Sequence, residues 1–218
     1  MPRSLLVLEF LLIFIVLPLA YRLSVVRIPA LPLLWLVSAY AGWQLLRDPG
    51  FDRAQLWNLQ PLAVHASIIV TIFAVAALGI WLGVRRFAPQ LEWSFVRTRP
   101  VLWAVVMVAY PVLSVYPQGL VYRAFFFERY APLFPGTWTL ILVSASAFAF
   151  LHIIFRNALA VWLTFAGGLL FAARYAQTAS LAASSFEHAL YGCWLFTVGL
   201  GQFFYRGAMP SPAAQLRH

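Results

Sequence analysis

Charge is what this sequence has least of. Only 10% of its 218 residues are charged, and only six of those are acidic. A soluble domain carries about 25% charged residues, so this composition cannot clothe a water-facing surface and excludes an ordinary soluble globule. Lysine is absent altogether: the fifteen basic residues are all arginine, giving a formal charge of +9. They fall between apolar runs rather than on one soluble face. That placement argues against nucleic acid as a partner and for membrane flanks that set orientation and touch anionic membrane lipids. A single cysteine, Cys193, excludes a disulfide framework within the chain and leaves the redox compartment open. It lies in an apolar run and reads as a small buried hydrophobe.

What is present is apolar: 63% hydrophobic residues and a mean hydropathy of +0.85. The expected fold class is all-α, a polytopic transmembrane helical bundle, with room for six to eight spans of about 20 residues each. Spans are expected over residues 5–23, 30–46, 64–84, 138–155, 159–175 and 181–204. The run 4–20 is too long for the apolar region of a secretory signal, and more apolar segments follow, so it is taken as the first span. Glu9, inside it, reads as lying near the headgroups. The link RDPGFDRAQLWNLQP (47–61) opens with a turn signal and leaves room for a short surface helix. Arg85, Arg86, Arg97 and Arg99 surround Glu92 in the strongest positive-inside signal, which places the Arg85–Arg99 loop in the cytoplasm and, by alternation, the N-terminus outside.

Residues 101–130 form one thirty-residue stretch. A straight helix of that length reaches roughly 45 Å, past a hydrocarbon core of about 30 Å. Pro111 and Pro117 inside it predict a kinked or broken helix near Pro117. The chain is expected to form one transmembrane domain over 1–205, with accessory spans over 1–100 and a core over 101–205. The Pro/Ala/Ser-rich tail 206–218 is expected to be disordered.

Polar groups concentrate at three places in the second half: PQGLVYRAFFFERY (117–130), the stretch from His152 to Asn157, and Glu187-His188. A charge left in hydrocarbon costs about 2.5–3.5 kcal/mol on the insertion scale, so such groups are expected to meet in a cavity. On a helix, residues three or four apart share a face. Gly119 and Arg123 are so related, as are Gln118 and Tyr122. Phe148, His152 and Arg156 follow the same spacing beside Asn157, and His188 pairs with Gly192 beside a Glu187–Tyr191 stripe. Hydrolysis within a membrane needs an activated water, a base or metal to activate it, and a donor for the oxyanion. Histidines bind zinc or hold water, and a carboxylate serves as base or as a further ligand. The same groups also suit a binding cavity, or a small transporter with an Arg/Glu/His relay. Arg123 or Arg174 is the structural partner open to Glu187.

The run from about residue 116 to 205 resembles the CPBP family of intramembrane proteases, which includes CAAX-type prenyl endopeptidases and bacteriocin-processing or immunity proteins. The family pattern is Glu-Glu followed after three residues by Arg, then Phe-x-x-x-His, then His-x-x-x-Asn. Gln118, Gly119 and Arg123 align with the first element; FAFLH, Phe148 to His152, matches the second; HALYG, His188 to Gly192, matches the third in its histidine. The resemblance implies a peptidase of a bacterial inner membrane acting on a membrane-anchored or lipid-modified protein. His152 and His188 would hold the water, with zinc or, if the enzyme is glutamic-type, with no metal. Arg123 would steady the carboxylate or the oxyanion. Gln118 and Gly119 depart from the water-activating glutamates and Gly192 from the asparagine. Three accounts follow: a variant whose glutamate at 119 was lost, a silent binding or immunity module of the same fold, or a carboxylate supplied from another helix by Glu187.

Overall fold

Hydrocarbon offers no water to backbone N–H and C=O groups, so apolar runs satisfy them internally by coiling into helices. The computed structural model describes residues 2–204, which contain helices and no strand; the expected tail disorder at 206–218 lies outside the described residues. The long helices are α1 (Arg3–Arg22), α2 (Ala30–Arg47), α3 (Gln60–Phe87), α4 (Pro100–Leu133), α5 (Thr137–Phe155), α6 (Ala158–Thr178) and α7 (Leu181–Thr197). Among the described residues five of these, α1 and α3 to α6, are long and apolar enough to cross a membrane. The 18-residue α2 and the 17-residue α7 pack among them.

The break expected near Pro117 does not occur. The 34-residue α4 runs through both prolines, and its ladder widens into π-turns at Pro111–Val115 and Leu120–Phe125. Proline lacks an N–H and its ring crowds the carbonyl four residues back. A π-turn next to it absorbs that irregularity while the helix continues. The discontinuity lies instead just before Pro100, where Arg99 leaves helical backbone (φ −142, ψ 62), as residues before proline tend to do. At 1.5 Å per residue α4 is about 50 Å long, so it must tilt within the bilayer or project from it.

Serine hydroxyls clip the helices together. Ser38 donates to the Pro117 carbonyl at 3.1 Å, Ser144 to the Tyr122 carbonyl at 2.6 Å and Ser184 to the Phe171 carbonyl at 2.8 Å, joining α2 to α4, α5 to α4 and α7 to α6. Glu9 is a fourth tie. Its carboxylate pairs with Arg129 of α4 at 3.0 Å and accepts from the Tyr40 hydroxyl of α2 at 2.8 Å. The loops sort to two ends. Arg156 donates to the Arg22 carbonyl at 3.2 Å, and Gly199 lies against the Leu91 carbonyl, so the 22–29, 88–99, 152–157 and 198–204 segments share one end. At the other end Ser180 donates to the Asn58 carbonyl and the Tyr175 hydroxyl to Gln55, each at 2.8 Å. Arg85, Arg86, Arg97 and Arg99 thus stand at the same end as Arg22, Arg27 and Arg156.

α5 and α6 approach most closely at Gly168, where an added Cβ would lie 3.1 Å from the Cα of Ala145. Backbone cannot swing aside as a side-chain tip can. Gly168→Leu should therefore lower stability by about 1–3 kcal/mol through overpacking, read as a reduced thermal midpoint in detergent. Gly79→Leu, with nothing within 4 Å of the new Cβ, should leave the midpoint unchanged.

Candidate functional site

A cavity of about 710 Å³ lies at the arginine-rich end, walled by α1, α2, α4 and α5 and closed by Phe196 and Phe204. Most of its wall is aliphatic or aromatic, from Ile13 and Leu17 on α1 to Leu34 on α2 and Val106 on α4. One edge is polar: Tyr110, Ser114, Gln118 and Tyr122 of α4, facing His152 of α5. Gln118 donates its amide to the Ser114 hydroxyl at 2.6 Å, one turn back.

His152 sits where α5 tightens into a 3₁₀ turn. Its Nδ1 is 2.7 Å from the Phe148 carbonyl. A carbonyl only accepts, so Nδ1 carries the proton in this contact, and in the neutral ring Nε2 keeps its lone pair. The next residues serve the corner. Arg156 takes left-handed backbone (φ 57), and the Asn157 side chain accepts from the Ala160 N–H at 3.2 Å, capping α6. Expected to line the site, these two hold the α5–α6 turn and are absent from the cavity wall.

Behind the polar edge lies a second group. Arg123 is 1% exposed, with its guanidinium 4.4 Å from the Phe148 ring centre and 5.4 Å from that of Phe171. None of its three nitrogens has a protein hydrogen-bond partner among the described residues. His188 of α7 stacks on Phe171 at 4.6 Å and meets Phe148 edge-on at 5.4 Å. Phe148 also contacts the His152 ring at 4.8 Å, so this one phenylalanine joins the arginine and both histidines. Tyr191 packs on Phe73 and Phe171 with its hydroxyl unpartnered.

Gly119 is where α4 and α7 touch: a Cβ there would lie 2.8 Å from the Ser185 hydroxyl and 2.9 Å from Leu181 Cδ1. Gly192 is filled against in the same way, since an added Cβ would overlap the Tyr110 ring. Tyr110 itself escaped the sequence reading. Its hydroxyl is 3.4 Å from His188 Nε2, and it lines the cavity, so it stands between cavity and inner group. The departure of Gly192 from the asparagine of the family pattern was the signal that something else occupies that space.

Of the two arginines open to Glu187, Arg174 takes it. The carboxylate accepts from Arg174 Nε at 2.9 Å and from Nη2 at 3.4 Å, and Gln177 accepts from Nη1 at 2.9 Å. This buried pair bridges α6 and α7 away from Arg123. Zinc fits these residues poorly. Zinc sites use at least three protein ligands, whereas no group of three His, Cys, Asp or Glu with metal-binding geometry occurs among the described residues.

Residues 99–194 match the family model described as Type II CAAX prenyl endopeptidase Rce1-like. This part of the chain is similar to a CAAX protease. The match spans less than half the chain, from the start of α4 into α7, and includes each helix that contributes to the inner group. No curated protein and no solved structure matches the chain.

Breaking a buried ion pair by removing one partner costs about 3–5 kcal/mol. Glu187→Ala should destabilise the bundle on that scale, measured as a loss of thermal midpoint. Exchanging the pair (Glu187→Arg with Arg174→Glu) should recover part of it. If Glu187→Ala leaves the midpoint unmoved, the carboxylate is not a structural tie.

Proposed function

We propose that this chain is a CAAX-type intramembrane peptidase scaffold that takes a membrane-anchored or lipid-modified polypeptide into the 710 Å³ cavity, and that with glycine at 119 it holds this chain without cutting it. The observation behind the reading is a large apolar cavity whose polar edge offers a histidine lone pair and an amide but no carboxylate. An apolar wall suits an acyl or prenyl chain or an apolar helix end, and the edge suits one peptide group. His152 Nε2 can hold a water, and the Gln118 amide can donate to a carbonyl oxygen. Glutamine cannot take a proton as a carboxylate does, and Glu187, tied to Arg174, is not part of the cavity wall. Nothing in reach therefore acts as the strong carboxylate base. The arginine-rich end, where the cavity lies, is assigned to the cytoplasm of a bacterial cell on the positive-inside bias.

The lone pair on His152 supports a second reading, slow hydrolysis with this imidazole as base. One comparison separates the two. Wild type and Gly119→Glu are reconstituted in liposomes with a fluorescent, lipid-tethered peptide, and binding and cleavage are followed together. A general base contributes about 10²–10⁴-fold, so cleavage should rise at least a hundredfold in the Glu form, with binding already present in wild type. Equal cleavage by both forms, lost in His152→Ala, would establish the histidine reading. Absence of binding in both would overturn the peptidase-scaffold assignment.

A further inference from the structure

The inner group of polar side chains holds a cation and no free anion among the described residues. Arg123 is a fully buried cation whose Nε, Nη1 and Nη2 all lack a protein partner among the described residues. Ser185 Oγ and His188 Nδ1 are buried and unpartnered as well. The two helices bring these groups together. Gly119 and Arg123, four residues apart, share a face of α4, and Ser185 and His188, three apart, share a face of α7. The faces meet, because the Gly119 Cβ position is 2.8 Å from Ser185 Oγ, and Arg123 and His188 lie against the same two rings, Phe148 and Phe171. Cation–π contact offsets part of the cost of burying a guanidinium, but a lone charge out of water still requires a counter-charge and hydrogen bonds. Glu187, the carboxylate on the same helix, is already bound by Arg174.

We propose that Arg123, with Ser185 and His188, forms a buried site for a small monovalent anion of carboxylate size. A planar carboxylate matches the guanidinium fork in geometry as well as charge. It would enter past Tyr110, which touches His188 on one side and the large cavity on the other. The site goes beyond the peptide-binding reading and does not depend on it, since neither substrate nor cleavage takes part.

Formate is the probe, and the thermal midpoint of the purified full chain in nanodiscs is the readout. Sodium sulfate holds the ionic strength constant. Formate should raise the midpoint saturably, by about 5–11 °C at a hundredfold excess over Kd. Arg123→Met should abolish that response. Gly119→Glu places a carboxylate one turn before Arg123. The atoms it meets, Ser185 Oγ and Leu181 Cδ1, are side-chain ends that can rotate away. This variant should be more stable than wild type without formate and indifferent to it. A linear or absent formate effect in wild type overturns the proposal, as does a saturable effect that survives in either variant. Should Arg123→Met fail to fold, the wild-type titration and the Gly119→Glu arm still decide.

Discussion

The second half of this bundle is arranged around a buried arginine that two phenylalanines flank. Arg123 comes from α4, Phe148 from α5, Phe171 from α6, and His188, stacked on Phe171, from α7. Four helices thus send one side chain each to the same small volume. A guanidinium is more weakly hydrated than an ammonium and stacks on aromatic faces, so arginine tolerates this position where lysine would lose more. Phe148 carries further weight because its carbonyl also fixes the His152 tautomer. Moving that one residue would disturb the arginine and both histidines together.

Such convergence requires the helices to approach closely, and small residues permit it. Gly168 sits on the backbone of Ala145, and Gly119 on Leu181 and Ser185. Between these contacts, serine hydroxyls bond to carbonyls on neighbouring helices. Lipid tails are as apolar as leucine, so close packing and interhelical hydrogen bonds, rather than hydrophobic collapse, hold such helices together. The two ion pairs have the same role at greater reach: Glu9–Arg129 ties α1 to α4, and Glu187–Arg174 ties α6 to α7.

Helices were legible in the sequence because their signal is local: long apolar runs bounded by Pro, Gly and arginine. The histidines and Arg123 were legible as a group because helical spacing puts each on a polar stripe. Pairings between helices were not. Nothing in the sequence ties Glu9 to a residue 120 positions away. Tyr110 was invisible for a similar reason, since a lone tyrosine in an apolar run carries no sign of which helix it will face. Pro117 misled differently. A proline's cost to a helix is local, and the π-turns on either side of Pro117 absorb it while the helix continues.

The two glycines that depart from the family pattern are not equivalent. At 119 the space for a side chain is bounded by the tips of a serine and a leucine, which a change of rotamer can clear. At 192 it is taken by an aromatic ring held edge-on between Phe196 at 5.3 Å and His188 at 6.3 Å. That ring also places its hydroxyl 3.4 Å from His188 Nε2. Tyr110 therefore occupies the space that a side chain at 192 would fill. Gly119 has no such replacement: among the described residues no carboxylate reaches Arg123, and its guanidinium nitrogens remain without a partner. At 192 the missing side chain is replaced in space by a ring from another helix, whereas at 119 the buried guanidinium is left without a carboxylate among the described residues.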